Sequence, residues 1–358
     1  MSNSYDHGGT VFSVARTLGV PPGQILDFSA SINPLGMSPL VRTALTAALD
    51  SLVHYPDTGH TEFKQALANY HRLPVHNFTI ANGSTELIYN LPTILPGNRA
   101  VVISPSFSEY VRALNQCHWE VEHFVLAPEG DFPIDLARLE RALTGGVDAL
   151  FLCNPGNPSG TLYPQSVIES IYHLCQSTGT FLVLDEAFMD FCEEDSAKRM
   201  IADSDSAVLL RSMTKFFGIP GLRLGYAICN DRLAERLDSI GGPWSVNTLA
   251  LAAGEAALQD IRHNQDTLEF IRRERSTLYE QLAQFPQLKL YPSSANYLLI
   301  ELLNGQTSRK IKEHLLSHRI MIRDCANFTG LTDRFFRIAV RTKEENTVLI
   351  ENMGRILE

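Results

Sequence analysis

Short runs of entirely apolar residues recur between about residues 78 and 230 and constrain the fold more than any other feature of the chain. None of these runs alternates with polar residues, so each is typical of a strand that is covered on both faces. Helical patterns separate several of them, which predicts an α/β fold with a mainly parallel sheet. The clearest runs occupy residues 100–103, 149–152, 181–184, 208–210 and 225–228.

The rest of the chain predicts a second, smaller unit. A helical pattern from about 246 to 285 leads into strand and helix patterns that end in a helix from about 344, an order typical of an α+β domain. The first thirty or so residues are rich in Gly and Ser and resemble an arm that becomes ordered by packing elsewhere. We expect an arm at 1–35, a large α/β domain at 36–245, and a small C-terminal α+β domain at 246–358 that also holds part of the arm.

Composition narrows the class of protein. The chain has 358 residues, a net charge of −10, 44% hydrophobic and 20% charged residues, which favours a soluble globular protein of two domains. The negative charge and the absence of Lys/Arg runs argue against nucleic-acid binding. We expect no membrane span, and residues 1–6 have neither the charge nor the apolar stretch of a signal peptide. Six scattered cysteines without a CxxC pair favour a cytoplasmic location and predict no metal site.

Lys215 is the most informative single residue. It follows one of the apolar runs, and Ser212, Thr214 and Arg223 lie close to it in sequence. A buried lysine loses its proton more readily, and the neutral amine can form a Schiff base with a carbonyl. Hydroxyls and a guanidinium are suitable ligands for a phosphate monoester. Together they predict pyridoxal phosphate on Lys215, although most lysines that follow strands are solvated surface groups.

Three further segments follow apolar runs and carry polar groups. Asp185 ends one run, where it can pair with a protonated pyridine nitrogen or simply cap the next helix. Residues 154–160 hold two Asn-Pro steps and two glycines, which fix a rigid loop and present Asn157 to the phenolic oxygen of the cofactor. Residues 82–86 read Asn-Gly-Ser-Thr-Glu and predict a phosphate-binding helix start or an ordinary one.

These motifs occur in the order found in the fold-type I, class I/II aminotransferase superfamily, which the chain resembles over nearly its whole length. The resemblance implies a large mainly parallel α/β domain, pyridoxal phosphate, and roles for Lys215, Asp185 and Asn157 as described above. It also implies a cofactor contact from Tyr55 of a second subunit, and therefore a homodimer. Further cofactor contacts are implied for Ser84, Thr85, Phe107, Ser212, Thr214 and Arg223.

Within that superfamily, the chain resembles threonine-phosphate decarboxylases of cobalamin biosynthesis more than histidinol-phosphate aminotransferases. Position 188 is Phe, where the aminotransferases usually carry a Tyr that bonds the cofactor. This change is typical of the decarboxylase pattern, although it is also compatible with neutral drift. The other segments that carry the similarity are 7–9, 27–36, 242–247, 322–328 and 336–341.

A phosphorylated amino acid has two anionic groups, so several cationic side chains should converge on it. Arg323 and Arg337 lie in the C-terminal strand patterns and are expected to hold the two ends, with no assignment of which holds which. Arg341 shares the face of Arg337 by alternation and is the least favoured candidate. The predicted substrate contacts are His7, Gly8, Asn33, Asn157, Arg323 and Arg337.

The resemblance implies decarboxylation of L-threonine O-3-phosphate to (R)-1-amino-2-propanol O-2-phosphate. Serine phosphate lacks only one methyl group and remains an alternative substrate, because one methyl in a pocket is worth only about 1–3 kcal/mol. A histidinol-phosphate-type aminotransferase is the second hypothesis. A ligand-sensing domain of a transcription regulator is the third and weakest hypothesis, since the chain has no basic helix-turn-helix pattern.

Overall fold

A seven-stranded sheet forms the centre of the molecule in the computed structural model, which describes residues 7–357. The prediction made for residues 1–6 therefore lies outside the described residues. The described residues contain thirteen strands, which are shared among three sheets. These strands are β1 Leu26–Asp27, β2 Phe78–Ala81, β3 Arg99–Ser104, β4 Glu120–Val125, β5 Ala149–Cys153, β6 Phe181–Asp185, β7 Ala207–Ser212, β8 Gly225–Ile228, β9 Leu288–Leu290, β10 Tyr297–Leu302, β11 Ile320–Met321, β12 Arg323–Asp324 and β13 Phe335–Ala339. The helices are α1 Val11–Leu18, α2 Pro39–Ala48, α3 Thr61–His71, α4 Ser84–Ile94, α5 Glu109–Gln116, α6 Leu136–Leu143, α7 Gln165–Thr178, α8 Lys198–Ile201, α9 Asp231–Ile240, α10 Thr248–Gln259, α11 Ile261–Leu282, α12 Ser308–Ser317 and α13 Lys343–Leu357.

The large sheet has the strand order β2-β8-β7-β6-β5-β3-β4. Strand β8 pairs antiparallel with both of its neighbours, and the other pairs are parallel. The five apolar runs all lie in this sheet, so the prediction of a mainly parallel α/β sheet is confirmed. Strand β4 was not predicted, because an edge strand with alternating burial lacks a continuous apolar run.

Both faces of the sheet are buried, which explains why its central strands are apolar throughout. Alternate residues of one strand enter different cores: Leu150 and Leu182 pack on one side, and Phe151 and Val183 pack on the other. Polar side chains on these strands are therefore tolerated mainly where the strand ends. The carboxyl ends of neighbouring parallel strands meet at one edge, which is where such folds hold their ligands.

The C-terminal part forms a four-stranded antiparallel sheet of order β12-β13-β10-β9. The register of β12 and β13 places Arg323 opposite Arg337. The amino-terminal segment joins this part, because β1 pairs in parallel with β11 and the backbone of Phe28 bonds both Met321 and Ala339. Two candidate substrate residues and the arm are thereby brought together.

The arm contains helix α1, which its Gly/Ser-rich composition did not predict. Ala15 of this helix packs with Ile25 and Met321, which attaches it to the C-terminal part. Helix α10 packs on α2 and α3, so the chain after residue 246 also contacts the segment before the large sheet. The domain boundaries given above stay a prediction. None of the helices between residues 7 and 357 has the length and apolar character needed to cross a bilayer.

Candidate active site

A cavity of about 290 Å³ lies at the carboxyl ends of β5, β6 and β7. Its walls come from three distant parts of the chain, namely the arm, the large sheet and the C-terminal strands. At the sheet end it is lined by Ser84, Thr85, Phe107, Asp185, Ser212, Thr214, Lys215 and Arg223. At the other end it is lined by His7, Gly8, Asn157, Arg323 and Arg337. The structure therefore brings all but two of the predicted site residues together.

Lys215 enters the cavity three residues after β7 ends. Its backbone carbonyl accepts a hydrogen bond of 3.0 Å from the amide of Asn33, which fixes the loop that carries it. Burial lowers the pKa of Lys215 to about 8, and the positive charges of Arg337 and Arg223 act in the same direction. The negative charge of Asp185 opposes this shift. The amine is therefore mostly protonated at pH 7, but its neutral fraction is far larger than that of an ordinary lysine.

Asp185 is buried at the end of β6, next to the cavity. Its Oδ2 accepts a hydrogen bond of 2.5 Å from the hydroxyl of Tyr110, and its Oδ1 accepts one of 2.9 Å from the backbone amide of Ala187. Burial raises the pKa of Asp185, while these two hydrogen bonds and Lys215 lower it. The hydrogen bond from Ala187 resembles the helix cap that was the alternative interpretation of Asp185. The residue nevertheless lines the cavity.

The start of α4 and the side chain of Arg223 form a concave polar surface at the sheet end. A Cβ atom at Gly83, where φ is +79°, would lie 2.7 Å from Nη2 of Arg223, so only glycine permits this approach. A Cβ atom at Gly225 would lie 2.3 Å from the backbone nitrogen of Ser84. Two glycines thus allow the helix start, the guanidinium and β8 to converge. The first amides of a helix lack partners within it and are suited to an anion.

Hydroxyl groups complete this surface. The side chains of Ser212 and Thr214 lie 2.8 Å apart, and those of Ser84 and Thr85 line the same end of the cavity. Such a set of hydroxyls, helix amides and one guanidinium fits a phosphate monoester. With Asp185 and Lys215 nearby, the residues present fit pyridoxal phosphate at both its phosphate and its ring.

Arg337 is buried at the opposite end of the cavity, on β13. Its Nη1 donates to Oδ1 of Asn157, its Nη2 donates to the carbonyl of Ser29 at 3.2 Å, and its guanidinium lies 4.9 Å from the ring centre of Tyr297. Its Nε is buried without a hydrogen-bond partner among the described residues. Among residues 7–357, no carboxylate lies within 4.0 Å of this guanidinium. A buried cation with only neutral partners is suited to an anionic ligand.

Arg323 is also buried, beside Arg337 in the register of β12 and β13. Its Nη1 donates to the carbonyl of Asp324 at 2.6 Å, and its Nη2 donates to Oδ1 of Asn327 at 2.8 Å. The guanidinium also lies 5.0 Å from the ring centre of Phe328. These contacts fix the side chain at the cavity wall, next to the second cationic group.

Arg341, the least favoured candidate, is engaged elsewhere. Its Nη2 donates to Oε1 of Glu345 at 2.9 Å, and its Nε donates to Oε2 of the same carboxylate at 3.0 Å. Its Nη1 donates to the carbonyl of Asp27 at 3.3 Å. A two-point pair with a carboxylate compensates the charge of this guanidinium, so Arg341 is not suited to a second anion.

His7 brings the arm to the same end of the cavity as Arg323 and Arg337. Its Nε2 lies 2.7 Å from Oε1 of Glu109, and its ring centre lies 5.5 Å from that of Phe107. Gly8 lines the cavity where a Cβ atom would lie 2.1 Å from the carbonyl oxygen of Ser29, so the arm can pass there only with glycine. The structure thus places both His7 and Gly8 in the cavity wall, as predicted.

Asn33 does not line the cavity of the described structure. Its buried amide donates to the carbonyl of Phe216 at 2.8 Å and to the hydroxyl of Thr267 at 3.0 Å, and its Oδ1 accepts from the amide of Leu35 at 3.0 Å. These contacts use the polar atoms of its side chain within the protein. These contacts place Asn33 in the support of the loop that carries Lys215, and its contact with a substrate stays a prediction.

Tyr55 also lies outside the cavity of its own chain. Its side chain is 79% exposed and stacks on Trp244, with ring centres 4.6 Å apart. A contact with the cofactor of a second subunit stays a prediction.

Tyr110 and Glu109 are the main site residues that the sequence did not reveal. Both lie at the start of α5, soon after Phe107, and both contact predicted residues that are distant in sequence. The one available signal was their spacing from Phe107. A carboxylate and a hydroxyl at a helix start are common, so that signal alone is weak.

The comparisons with known proteins agree with this geometry. The model of the family described as aminotransferase class I and II matches residues 23–353, and the chain belongs to this family, whose members depend on pyridoxal phosphate. The chain is 41% identical to threonine-phosphate decarboxylase of Salmonella typhimurium, over 98% of this chain and 96% of that one.

Two further similarities bear on function. The chain is 30% identical to the adenosylcobalamin biosynthesis bifunctional protein CobDQ of Leptospira interrogans, over 99% of this chain and 41% of that longer one. The solved structure of histidinol-phosphate aminotransferase from Clostridium acetobutylicum has a TM-score of 0.86 at 27% identity, over 93% of this chain and 99% of that one. The fold-type I prediction is thereby confirmed.

Proposed function

We propose that this protein is a pyridoxal-phosphate-dependent decarboxylase that converts L-threonine O-3-phosphate to (R)-1-amino-2-propanol O-2-phosphate and CO₂ in cobalamin biosynthesis. The observation that carries the proposal is the pair of buried arginines, Arg323 and Arg337, opposite each other on neighbouring strands at one end of the Lys215 cavity. The 41% identity to a threonine-phosphate decarboxylase supports the particular reaction.

The sheet end of the cavity would hold the cofactor. Arg223, Ser212 and the first turn of α4 would bind its phosphate, and Asp185 would pair with its ring nitrogen. When bound, pyridoxal phosphate supplies an electron sink that weakens the bonds at the α carbon of an amino acid. Tyr110 holds Asp185 in place through its 2.5 Å hydrogen bond.

Arg337 would hold the substrate carboxylate. Its guanidinium donates a hydrogen bond to Asn157, and its buried Nε has no partner within the described residues. A carboxylate can bind such a guanidinium at two points. Because binding groups decide which bond at the α carbon is aligned for cleavage, Arg337 and Asn157 would determine that CO₂ leaves.

Arg323 and His7 would then hold the phosphate group. Both line the same cavity as Arg337, and two cationic or hydrogen-bonding groups suit a dianion. After the bond between the α carbon and the carboxylate breaks, that carbon needs a proton. Lys215, with a pKa of about 8, can hold a proton and return it at neutral pH.

A histidinol-phosphate-type aminotransferase is the second candidate, favoured by the TM-score of 0.86 to such an enzyme. Phe188 is the cavity residue that bears on the choice. It is buried against Tyr297, with ring centres 4.9 Å apart, and it offers no hydroxyl to the cavity. That environment supports the decarboxylase.

Product identification tests the proposal. The cofactor-loaded protein is incubated in parallel with phosphothreonine, phosphoserine and histidinol phosphate, each with and without 2-oxoglutarate. We expect CO₂ and aminopropanol phosphate from phosphothreonine in both conditions. Turnover that requires 2-oxoglutarate, with histidinol phosphate as the preferred substrate, would instead establish the aminotransferase.

We also propose a homodimer in the cytoplasm in which Tyr55 reaches the cofactor of the second subunit. Exposed apolar side chains cluster in sequence near Tyr55, among them Leu49, Leu52 and Val53, and Trp244 stacks on it. Light scattering tests the dimer. A monomer that retains full activity would contradict the proposed role of Tyr55.

A further inference from the structure

A second cavity, of about 230 Å³, adjoins the first one. The two share His7, Phe107, Arg323 and Phe328 as a common wall. The first cavity alone is at the lower end of the range of about 300–1,000 Å³ that is typical of ligand sites. Because the cofactor would fill its sheet end, the substrate needs space that the second cavity can supply.

Several polar side chains line the second cavity outside this common wall, although most of its lining surface is apolar. Ser106, Ser108, Arg112, Asn327 and Thr329 line it. His123 lines it as well, and its Nδ1 lies 2.8 Å from the hydroxyl of Ser104. Burial lowers the pKa of His123, so its ring offers a hydrogen bond and not a charge near pH 7. Hydroxyls, amides and guanidinium groups are typical ligands of a phosphate.

Glu109 lies behind this wall and contacts two of its basic side chains. Its carboxylate accepts hydrogen bonds from Tyr89 at 2.6 Å and from Arg112 at 2.8 Å, and it lies 2.7 Å from Nε2 of His7. Burial alone would raise the pKa of Glu109, but the hydrogen bonds of Tyr89 and His7 and the charge of Arg112 lower it overall. Glu109 is therefore an anion at neutral pH.

A buried carboxylate beside a site for an anionic substrate would repel that substrate unless its charge is compensated. Here Arg112 compensates it and His7 contacts it, and these contacts fix where the two side chains lie. The carboxylate thus orders groups from two separate segments, the arm and α5, at the border between the cavities.

We propose that the second cavity receives the phosphate end of the substrate, that Arg112 contributes to its binding, and that Glu109 is the positioning residue that holds Arg112 and His7 there. This inference rests on the proposed function, since it concerns a phosphorylated amino acid bound beside Lys215. It adds residues to the site that neither the sequence motifs nor the family resemblance indicated.

The test compares Glu109→Gln and Arg112→Gln with the matched control Glu122→Gln, which alters an exposed carboxylate on β4. Steady-state kinetics with phosphothreonine and calorimetric binding of inorganic phosphate are measured on the cofactor-loaded protein. A hydrogen bond to a charged group is worth about 1.5–3 kcal/mol, so we expect KM and the phosphate Kd to rise by roughly 10- to 100-fold in both variants. The value of kcat should change much less, and the control should match the unaltered protein.

Additivity gives a second readout. If Glu109 acts through Arg112, the double variant should be impaired little more than the worse single variant. Unchanged KM and phosphate affinity in both single variants would overturn the inference. A parallel loss of cofactor absorbance and Tm in Glu109→Gln, with no selective effect on phosphate, would also overturn it by showing a structural role.

The calorimetry keeps the two proposals distinguishable. Absence of CO₂ release by the unaltered protein would refute the decarboxylase. Phosphate binding that depends on Arg112 and Glu109 would still support the second cavity as a phosphate site.

Discussion

Two buried arginines, Arg211 and Arg337, lie in chemically opposite surroundings. Arg211 is fully buried on β7 and contacts Glu186 at 3.0 Å, Asp190 at 3.3 Å and Glu193 at 2.7 Å. Arg337 is almost as deeply buried, but its hydrogen-bond partners are a side-chain amide and a backbone carbonyl. In Arg211 the protein itself compensates the charge, whereas Arg337 has the surroundings expected of the ligand-binding cation that we propose.

The Arg211 cluster also supports the active site indirectly. Glu186 and Asp190 flank the turn that carries Ala187 and Phe188 to the cavity wall, and Arg211 immediately precedes Ser212. Both arginines bear on the same cavity. We expect that removing Arg211 lowers the stability of the fold and that removing Arg337 lowers the affinity for the substrate.

The largest effect is expected for Arg211→Met. It leaves three carboxylates without their buried cation, and breaking a buried pair by removing one partner costs about 3–5 kcal/mol. We expect the free energy of unfolding in urea to fall by that amount. A loss below about 1 kcal/mol would show that the cluster is not a structural one.

Arg337→Gln should lower kcat/KM and leave the stability of the fold unchanged. Truncating one member of a buried charged pair costs about 2–4 kcal/mol in binding, so kcat/KM for phosphothreonine should fall by roughly 30- to 1,000-fold. No carboxylate within residues 7–357 loses a partner, so the urea midpoint should not fall. Strong destabilisation without a kinetic effect would erase the distinction between the two arginines.

Tyr110→Phe tests whether the hydrogen bond from the neutral Tyr110 hydroxyl helps the buried carboxylate of Asp185 to bind the cofactor. Asp185 loses a 2.5 Å hydrogen bond that lowers its pKa, so the carboxylate becomes harder to ionise. A hydrogen bond to a charged group is worth about 1.5–3 kcal/mol, and we expect the cofactor to dissociate at least about tenfold more readily. Equilibrium dialysis measures this, and unchanged affinity would argue against a role for Tyr110 in holding Asp185.

The smallest effect concerns pH. If the cofactor attaches to Lys215 as proposed, the neutral amine is needed, and because its pKa is about 8 the attachment rate should rise with pH and level off above that value. The charge of Arg337 lowers this pKa, so in Arg337→Gln the inflection should move to higher pH. The check is the rate at which absorbance of the bound cofactor develops after it is added to the apo protein. An inflection that stays in place would contradict coupling between the two residues.

The sheet end of the site was predictable because local sequence encodes it. Asp185 and Lys215 follow apolar strands directly, and the meeting of strand ends at one edge is a general property of parallel sheets. The opposite end depends on contacts between distant segments. Tyr110 and Asp185 are 75 residues apart, and His7 and Glu109 are 102 residues apart.

Contacts between distant segments also explain what the sequence did not reveal. Asn33 occupies a loop segment that resembles the decarboxylases, but the resemblance does not show that its side chain bonds Phe216 and Thr267. Helix α1 was not predicted because its apolar face is short. That face is buried only by contact with Ile25 and Met321, which the sequence pattern does not show. The three carboxylates around Arg211 lie within eight residues of each other, yet nothing local in the sequence pairs them with an arginine on β7.

Release of CO₂ from carboxyl-labelled phosphothreonine tests the central claim most directly. The cofactor-loaded protein is supplied with this substrate and no oxo acid, and labelled CO₂ is counted against substrate consumed. We expect one labelled CO₂ for each aminopropanol phosphate formed. Substrate consumption only in the presence of 2-oxoglutarate, with the label retained in an oxo acid, would contradict it.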